Sequence, residues 1–538
     1  MAHTYHTTST LRSGLCWMGV CLFALLFTTE LQAQVETKFF GSDIEPTDGF
    51  GVAVSLSGHR LLVSAPVLST TPGKPGAAYI FELQSDGSWL ETAKLVADDS
   101  DVTNFFGTSA ALDGNYAIIG ARGTTATDTP GAAYIFERRK DGTWEQVATF
   151  LSDGDPFGDG YARTVAISGR TAIVGAHFDD ALYAQGGAAY VYERKGAGEW
   201  VQVAKLTASD AEAFGNFGRS VSIDGYRALV GSPGRTVDGV RTGGGFVYER
   251  QPGGAWEEIT ILEAPDVEGG QGNFSQAVSL SGDRALIGAA DANVNGMLTT
   301  GLAYMFKKEG KGEWQLDQKI INRDVRENAR FGRNVALNGE VALIYAGNQL
   351  MSPKKFEPAV YLYRLASNGR WQEVSRLLAS DYNNDTNFGT TSFGATVLAV
   401  DESRALIGAS HNDEAGLNAG AVYNYDLAGL SASIAEASEG MGDMIKANEL
   451  PGAFELFESY PNPFNPTTTI GFALPEQAPV QLAIYDMMGR EVANLVQGVL
   501  NAGTHEVVFD ASGLPSGTYL YKLDTPARSF TQKMLLLK

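Results

Sequence analysis

The sequence predicts an all-β fold, a seven-bladed β-propeller followed by a small C-terminal immunoglobulin-like β-sandwich. Two residue markers that recur along the chain predict the propeller. The opening aromatic residues, spaced by 55 to 62 positions, are Phe50, Phe106, Tyr161, Phe217, Phe274, Phe331 and Phe393. The tryptophans, spaced by 55 to 58 positions, are Trp89, Trp144, Trp200, Trp256, Trp314 and Trp371. Repeats of this length indicate a fold built from stacked units.

Within each unit, apolar and polar residues alternate with a period of two, which is typical of β-strands. In the fourth unit, Ser220–Ile223 and Arg227–Val230 form two strands joined by the turn Asp224-Gly225. A third strand follows at Gly245–Tyr248 and a fourth at Trp256–Leu262. Because one such sheet cannot bury both of its faces, the units must stack, and the two aromatic markers are predicted to wedge between them.

The seventh unit predicts how the ring closes. It has a third strand at Ala421–Tyr425, but no tryptophan strand follows before Ser431-Ala432-Ser433. The segment Val35–Asp43 resembles the fourth strand and exit loop at Val203–Asp210. We therefore expect the N-terminal segment to add the outer strand of the last sheet and close the ring.

Four segments are predicted along the chain. They are a signal peptide at 1–33, the propeller at 34–427, a linker at 428–453 that is small, polar and poor in aromatic residues, and the C-terminal domain at 454–538.

The first segment has the three parts of an export signal. Arg12 gives a positive n-region, Leu15–Phe27 an apolar h-region, and Leu31–Ala33 a cleavage site. The apolar stretch of about 13 residues is shorter than the ~20 that a membrane span requires. No transmembrane span is predicted in the mature chain.

Charge and cysteine content limit the functional classes. The chain has 40 basic and 62 acidic residues, a net charge of −22, so its field repels a phosphate backbone and nucleic acid is not a predicted partner. Both cysteines, Cys16 and Cys21, lie in the signal. The mature chain must therefore be stabilised by packing rather than by disulfides.

A small-residue triplet follows the second strand in most units. The triplets are Ser64-Ala65-Pro66, Gly120-Ala121-Arg122, Gly175-Ala176-His177, Gly231-Ser232-Pro233 and Gly408-Ala409-Ser410. Together with the Phe-Gly openings they resemble FG-GAP repeats, the blades of integrin α-chain propellers and of many bacterial surface proteins. The resemblance covers about Val35 to Leu427, with degenerate fifth and sixth units.

In that family several blades bind calcium through alternating aspartates in the first hairpin. Here the hairpin is a two-residue turn, which cannot supply the six to eight oxygen ligands of calcium. The family's calcium sites are therefore not expected in this chain, and no cofactor is predicted, although calcium is left open for a different loop.

Acidic residues cluster in the loops that leave the fourth strands. Because consecutive strands are antiparallel, these loops and those after the second strands emerge on one face. The candidate ligand-binding residues are Asp98, Asp99, Asp101, Asp153, Asp155, Asp159, Asp210, Glu212, Asp266, Glu268, Asp381 and Asp385, with Asp43, Glu45 and Asp48 at the closure. Asp153, Asp155 and Asp159 are the best metal candidate. One interpretation is solvation and turn chemistry, and the other is a surface for a cation or a basic ligand.

Catalytic signals are sparse. Neither H-E-x-x-H nor G-x-S-x-G occurs, and the equivalent positions of His177 and His411 are explained by the repeat. We therefore predict no enzyme and no catalytic residue, but a binding or adhesion propeller for an extracellular glycan or protein. The alternatives are a secreted hydrolase or lyase and a structural surface-layer component.

The C-terminal segment closely resembles the type A sorting domain of the bacterial type IX secretion system. The motif residues are Tyr460, Pro461, Asn462, Pro463, Gly489, Arg490, Gly517, Tyr519, Lys533 and Lys538. The resemblance implies the type IX secretion machinery as a partner. It also implies a secreted or outer-membrane surface location after signal-peptide-dependent export.

Overall fold

The computed structural model describes residues 36–67, 75–99, 105–123, 130–152, 159–180, 182–196, 198–265, 273–294, 297–310, 313–322, 327–352, 355–381 and 398–427 of the repeat region. In the C-terminal region it describes 454–457, 459, 464, 466–475, 477–500 and 503–537. Every regular element in these ranges is a β-strand. The chain divides into two compact units, Met1–Ser431 and Ala432–Lys538. The predicted signal and linker lie outside the described residues.

The first unit contains seven four-stranded sheets. The chain begins with β1 (Glu36–Phe39), which belongs to sheet 7. Sheet 1 has β2 (Val54–Ser57), β3 (Arg60–Ala65), β4 (Ala77–Leu83) and β5 (Trp89–Leu95). Sheet 2 has β6 (Phe106–Asp113), β7 (Tyr116–Ala121), β8 (Ala132–Arg138) and β9 (Trp144–Leu151). Sheet 3 has β10 (Tyr161–Ser168), β11 (Thr171–Ala176), β12 (Ala188–Lys195) and β13 (Glu199–Leu206).

The remaining sheets repeat this pattern. Sheet 4 has β14 (Ser220–Asp224), β15 (Arg227–Ser232), β18 (Gly244–Arg250) and β19 (Trp256–Leu262), with a small hairpin, β16 (Thr236–Val237) and β17 (Val240–Arg241), in its long loop. Sheet 5 has β20 (Phe274–Ser281), β21 (Arg284–Ala289), β22 (Leu302–Lys308) and β23 (Trp314–Ile320). Sheet 6 has β24 (Val335–Asn338), β25 (Val341–Ser352), β26 (Lys355–Leu365) and β27 (Trp371–Leu377). Sheet 7 has β28 (Leu398–Val400), β29 (Arg404–Ala409) and β30 (Ala421–Asp426), completed by β1.

The sheets are arranged in a closed ring. Within each sheet the four strands pair in the order first, second, third and fourth, and the ladders are antiparallel. The first strands of neighbouring sheets contact each other all around, including β28 of sheet 7 with β2 of sheet 1. The first strands therefore surround a central channel and the fourth strands lie outside. This is the predicted seven-bladed β-propeller.

The N-terminal strand closes the ring, as predicted. β1 pairs antiparallel with β30, from Glu36 opposite Tyr425 to Phe39 opposite Val422. The Glu36 carboxylate also accepts hydrogen bonds from the hydroxyl of Tyr425 (2.9 Å) and from Ser380 of sheet 6 (2.7 Å). Both ends of the repeat region are thus held in one sheet.

The described aromatic markers pack between sheets, which confirms their predicted role, whereas Phe393 lies outside the described residues. Phe217 is fully buried and makes edge contacts with Phe246 (5.2 Å) and Tyr248 (6.1 Å) of its own third strand. The same cluster contains Ile173 from sheet 3. Trp200 occupies the corresponding cluster between sheets 2 and 3. These side chains fill the space that opens between neighbouring sheets away from the axis.

Near the axis the sheets meet through their backbones. Phe217, which opens sheet 4, forms a parallel bridge with Gly187, which precedes the third strand of sheet 3. The same bridge joins Gly301 to Phe331 and Gly420 to Phe50. A Cβ atom on Gly231 of sheet 4 would collide with the carbonyl oxygen of Ser275 in sheet 5. Glycine is therefore required at these positions by the close approach of two backbones.

In sheets 2 to 6 the free edge of the first strand is capped by the preceding sheet. An edge strand exposes N–H groups that need acceptors. The turn residue before glycine in one sheet accepts a hydrogen bond from the turn-glycine N–H of the next. The pairs are Ser57–Gly114, Asp113–Gly169, Ser168–Gly225, Asp224–Gly282 and Ser281–Gly339, at 2.6 to 3.0 Å. This interaction explains why serine or aspartate precedes these turn glycines.

The second unit is a sandwich of two sheets. One sheet has the order β31 (Glu455–Leu456), β32 (Thr467–Leu474), β35 (Gly503–Asp510), and the other has β34 (Glu491–Leu500), β33 (Ala478–Asp486), β36 (Gly517–Asp524), β37 (Ser529–Leu536). Side chains of both sheets, including Phe472 and Tyr521, share one core. In constant-type immunoglobulin domains the fourth strand pairs with the fifth, whereas here β34 pairs with β33. The immunoglobulin-like description stays a prediction.

Deleting Val35–Phe39 tests the closure of the ring. The deletion exposes the edge of β30 and removes the contacts of Glu36, so we expect the melting temperature to fall by about 10 °C or more. Calorimetry of the mature chain measures it. A control in which Glu36 and Lys38 are replaced by alanine keeps the backbone ladder and should fall less. A deletion variant that melts like the wild type would contradict this role of β1.

Substituting Gly231→Ala tests the backbone contact between sheets 4 and 5. The new methyl group must displace the Ser275 carbonyl, and we expect a loss of about 1–3 kcal/mol in the free energy of unfolding. Gly253 is a matched control, because a Cβ atom there meets nothing within 4 Å. Gly253→Ala should change the stability by less than about 0.5 kcal/mol in the same denaturant titration. Equal effects of the two substitutions would argue against the contact.

Candidate functional site

The propeller has two faces with different loops. We call the face formed by the loops after the second and fourth strands the loop face, and the opposite one, formed by the tight turns, the turn face. On the loop face the two kinds of loop are hydrogen-bonded to each other in the same way at three junctions. The backbone N–H donors and carbonyl acceptors are Thr47 to Leu417 (2.7 Å), Phe214 to Ala184 (2.8 Å) and Asn328 to Leu298 (3.1 Å). These bonds fix the neighbouring loops to each other at the three junctions.

The predicted ligand residues Asp99 and Asp381 accept hydrogen bonds from tyrosines of the next sheet. The hydroxyl of Tyr134 donates to Asp99 (3.1 Å) and that of Tyr423 to Asp381 (2.6 Å). At the closure, Tyr79 donates in the same way to Asp43 (2.8 Å). Burial, then the hydrogen bond to Asp381, raises the pKa of Tyr423 far above its usual value. These carboxylates therefore fasten an exit loop to the following sheet.

In sheet 4 the equivalent third-strand residue is Phe246, which has no hydroxyl group. Asp210, a predicted ligand residue, instead accepts a hydrogen bond from the Arg235 guanidinium at 2.7 Å. Glu212, also predicted, accepts hydrogen bonds from the backbone N–H and the hydroxyl of Thr236. Both acidic side chains thus anchor the long loop of sheet 4.

The residue before the repeated aspartate is also bonded to the next sheet. Ser209 donates its N–H (3.1 Å) and its hydroxyl (2.6 Å) to Glu258 of a fourth strand. Ser42 with Glu91 and Ser380 with Glu36 form the same pair of bonds. The predicted ligand residue Asp98 stands at this position, where its N–H donates to Gln146 at 3.1 Å and its side chain is exposed.

The predicted metal group is described only in part. Asp159 is 3% exposed, and it accepts hydrogen bonds from the Tyr161 N–H (2.9 Å) and from the Ser152 hydroxyl. Asp153 and Asp155 lie outside the described residues, as do the candidates Asp101, Asp266, Glu268 and Asp385. Within the described residues no three His, Cys, Asp or Glu side chains form a group that could hold a metal ion. Calcium binding and the ligand role of the acidic loops stay predictions.

A set of basic residues that the sequence patterns did not predict lies at the loop-face end of the channel. Arginine stands two positions after the opening aromatic residue in three units, as Arg163, Arg219 and Arg333. All three side chains are half-buried. His177, at the end of the second strand of sheet 3, is 2% exposed. Aligning the units residue by residue would have revealed the arginines.

His177 is held neutral by its surroundings. Burial, then the charges of Arg219 and Arg163, lower its pKa to about 2. Its ring packs against Phe178 with 3.9 Å between the ring centroids. His411, at the equivalent position in sheet 7, contacts the Ser410 hydroxyl through Nδ1 at 3.0 Å. Each histidine therefore contacts the residue next to it in its own sheet, His177 with Phe178 and His411 with Ser410.

An exposed apolar patch lies at the junction of sheets 3 and 4. Leu182 and Tyr183 are in the loop after the second strand of sheet 3, and Phe214 is in the exit loop beside it. More than half of each side chain is exposed. We call these three residues the apolar loop patch. Leu298 and Leu417, in the corresponding loops of sheets 5 and 7, are equally exposed.

Several predicted sorting motif residues form a tight turn and its neighbouring strands. Asp486 accepts hydrogen bonds from the Arg490 backbone N–H (3.0 Å) and side chain (2.8 Å), around Gly489 with a φ of 76°. Tyr519, in the strand that Gly517 begins, donates its hydroxyl to Pro515 (2.8 Å). Lys533 lies opposite Leu520 in β37. Tyr460, Pro461, Asn462, Pro463 and Lys538 lie outside the described residues.

Comparison with protein families agrees with both units. The FG-GAP repeat model matches residues 34–81, 89–136, 144–192, 200–248 and 371–425. Each match begins at or next to the fourth strand of one sheet and ends in the third strand of the next, so it spans one junction. The secretion system C-terminal sorting domain matches residues 458–537. The chain is thus an FG-GAP repeat protein with a type IX secretion system sorting domain.

No curated protein matches the chain. Matching solved structures include an acylaminoacyl peptidase of Pyrococcus horikoshii, at 11% identity and a TM-score of 0.39 over 81% of this chain and 60% of the peptidase. PorZ, a surface component of the type IX secretion system of Porphyromonas gingivalis, matches at 13% identity and a TM-score of 0.20 over 93% and 82%. An exo-β-1,3-galactanase of Phanerochaete chrysosporium matches at 9% identity and 0.29 over 79% and 94%. Likeness at these scores carries no inference about activity.

The sorting domain defines the destination of the protein. It directs export by the type IX machinery to the cell surface or the extracellular space. None of the described segments forms a helix with the length and hydropathy needed to cross a bilayer.

The buried His177 predicts a specific acid sensitivity. Its folded pKa of about 2 lies below the usual value of 6.5, so only the unfolded chain takes up this proton between those pH values. The free energy of unfolding is therefore unaffected by His177 above pH 6.5. Below that pH, His177 lowers it by about 1.4 kcal/mol for each further pH unit. Denaturant titrations from pH 7.5 to 4.5 should show a shallower slope for His177→Gln.

Other groups also titrate in this range, so a matched control is needed. His59 is exposed on the turn face. His59→Gln should keep the acid slope of the wild type. An unchanged slope in His177→Gln would exclude His177 as its source.

Proposed function

We propose that the protein is a non-catalytic binding module that contacts an extracellular glycan or protein through its loop face. The apolar loop patch is the observation that carries this proposal. Exposed apolar residues scattered singly are ordinary on a protein surface, but this patch joins two loops of neighbouring sheets. Aromatic side chains also provide much of the binding energy in protein interfaces, because they bury a large area with few rotatable bonds.

The backbone around Phe214 supports a role in binding. Phe214 has a φ of 64°, in the left-handed region that bulky residues rarely adopt. Thr47 and Asn328 occupy the equivalent position at two other junctions, with φ values of 71° and 62°. A bulky apolar residue that is both strained and exposed gives nothing to the core. Retaining it there is typical of a functional surface.

The loops that carry the patch are also well anchored. Two backbone hydrogen bonds fix the exit loop of Phe214 to the neighbouring loop. The Phe214 N–H donates to the Ala184 carbonyl (2.8 Å), and the Asn216 N–H donates to the Gln185 carbonyl (3.0 Å). Ser209 and Asp210, at the start of the same loop, are bonded to sheet 4. A fixed surface loses less conformational entropy when it binds a partner, which favours affinity.

The double variant Tyr183→Ser/Phe214→Asn tests the proposal. Asparagine tolerates a left-handed φ better than phenylalanine, so the stability should not fall through this position. We expect the strongest interaction of the mature chain on a glycan and matrix-protein array to weaken about tenfold or more when measured by biolayer interferometry.

Tyr226→Ser is the matched control. Tyr226 is 53% exposed against 52% for Tyr183, but it lies on the turn face. Its substitution should leave the affinity unchanged. Equal loss in both variants would refute binding through the loop face, and an array with no saturable interaction would favour the structural alternative. Turnover of the bound glycan or protein would instead favour the enzyme alternative.

A further inference from the structure

The loop-face mouth of the central channel carries an uneven set of side chains. The residues two positions after the opening aromatic in sheets 1 to 6 are Val52, Thr108, Arg163, Arg219, Gln276 and Arg333. Because the first strands surround the channel, these residues lie at one level around its mouth. In sheets 1 and 2 this position is buried and uncharged, since Val52 is 0% and Thr108 1% exposed. Sheets 3 to 6 contribute three guanidinium groups and an amide.

The arginine charges are close enough to affect one another. Arg219 is half-buried, and burial, then the charges of Arg163 and Arg333, lower its pKa to about 10. At neutral pH the group is therefore still protonated. Burial, then the charge of Arg163, also lowers the pKa of Arg122, which follows the second strand of sheet 2. Positive charge is thus concentrated on one side of the mouth.

Within the described residues, no carboxylate forms an ion pair with Arg219 or Arg333. This distinguishes them from other buried arginines. Arg227 pairs with Glu249 (2.7 Å) and Arg235 with Asp210 (2.7 Å). In a chain with a net charge of −22, acidic partners are abundant elsewhere. Half-buried like charges repel one another unless an anion lies between them.

We propose that this mouth binds a tetrahedral oxyanion, either free sulfate or phosphate or the same group as an ester on a sugar. Guanidinium groups donate paired N–H bonds that match the spacing of such oxygens. A small anion fits better than a long polyanion, because the acidic surface around the mouth repels extended negative charge. The half-buried Gln276 adds an uncharged amide beside the arginines.

This site is independent of the proposed function. A small oxyanion occupies the mouth whatever the apolar loop patch contacts, and the two involve different residues. Failure of one test therefore leaves the other standing.

Isothermal titration of the mature chain with sodium sulfate and sodium phosphate tests the proposal, in a sulfate- and phosphate-free buffer at constant ionic strength. We expect saturable binding to a single site, and Arg219→Gln should weaken it about tenfold or more. Arg139→Gln is the control, because it removes the same charge from a partly exposed residue beside the turn-face hairpin. It should bind like the wild type.

Two further measurements make the outcome decisive. Arg219→Gln removes a half-buried positive charge that pairs with no carboxylate among the described residues, so without added anion its melting temperature should equal or exceed that of the wild type. Sulfate should raise the melting temperature of the wild type and not of the variant. If Arg219→Gln fails to fold, Arg333→Gln on another sheet serves the same purpose.

A third arm separates the sources of the oxyanion. N-acetylglucosamine 6-sulfate that binds more tightly than sulfate, with no binding of N-acetylglucosamine, would assign the site to a sulfated sugar. Equal affinity for sulfate and the sulfated sugar would assign it to the free ion. No saturable binding by the wild type up to 50 mM of any probe, about the weakest affinity that titration resolves, or equal binding by Arg219→Gln, would overturn the proposal.

Discussion

The propeller depends on the approach of two backbones at the inner end of the junctions between its sheets, as far as the described residues show them. At Gly187 and Gly231 neighbouring sheets meet with no side chain between them. Farther from the axis the same sheets diverge, and the gap is filled by buried aromatic residues such as Phe217 and Trp200. A taper of this kind lets separate four-stranded sheets close into a ring. Glycine near the axis and aromatic residues outside are therefore two consequences of one geometry.

The polar residues of the repeat serve the same junctions. First strands have free edges, which the serines and aspartates of the preceding sheet cap. Exit loops are fastened by aspartate to a tyrosine of the next sheet, as with Asp99 and Tyr134. Where Phe246 replaces the tyrosine, Arg235 takes over the bond to Asp210. Much of the acidic character of the loop face is thus used to join sheets, which weakens the interpretation of Asp99, Asp210 and Asp381 as a vacant ligand surface.

The features that repeat at regular intervals along the chain could be predicted from the sequence. The seven units, the four strands of each, the wedging aromatic residues and the closure by β1 all follow from spacing and alternation. Bonds between sheets could not be predicted from the sequence, because a pair such as Ser209 and Glu258 depends on the angle between two blades and not on distance along the chain. The arginines at the mouth were missed for a similar reason. Each is unremarkable within its own unit, and only the ring places Arg163, Arg219 and Arg333 around one opening.

The position of these arginines follows from where the junction leaves the sequence free. The residue after the opening aromatic is small because a neighbouring backbone lies against it, as at Gly218 and Gly332. The third residue after the opening aromatic often bonds to the next sheet, as Ser220 does to the Ser275 carbonyl (2.7 Å). The position between these two varies from valine to arginine: Val52 is buried in the core between sheets 1 and 2, whereas the arginines are half-buried. At sheets 3, 4 and 6 the flanking residues make the junction contacts while an arginine stands between them, and this arrangement favours a binding role for the mouth.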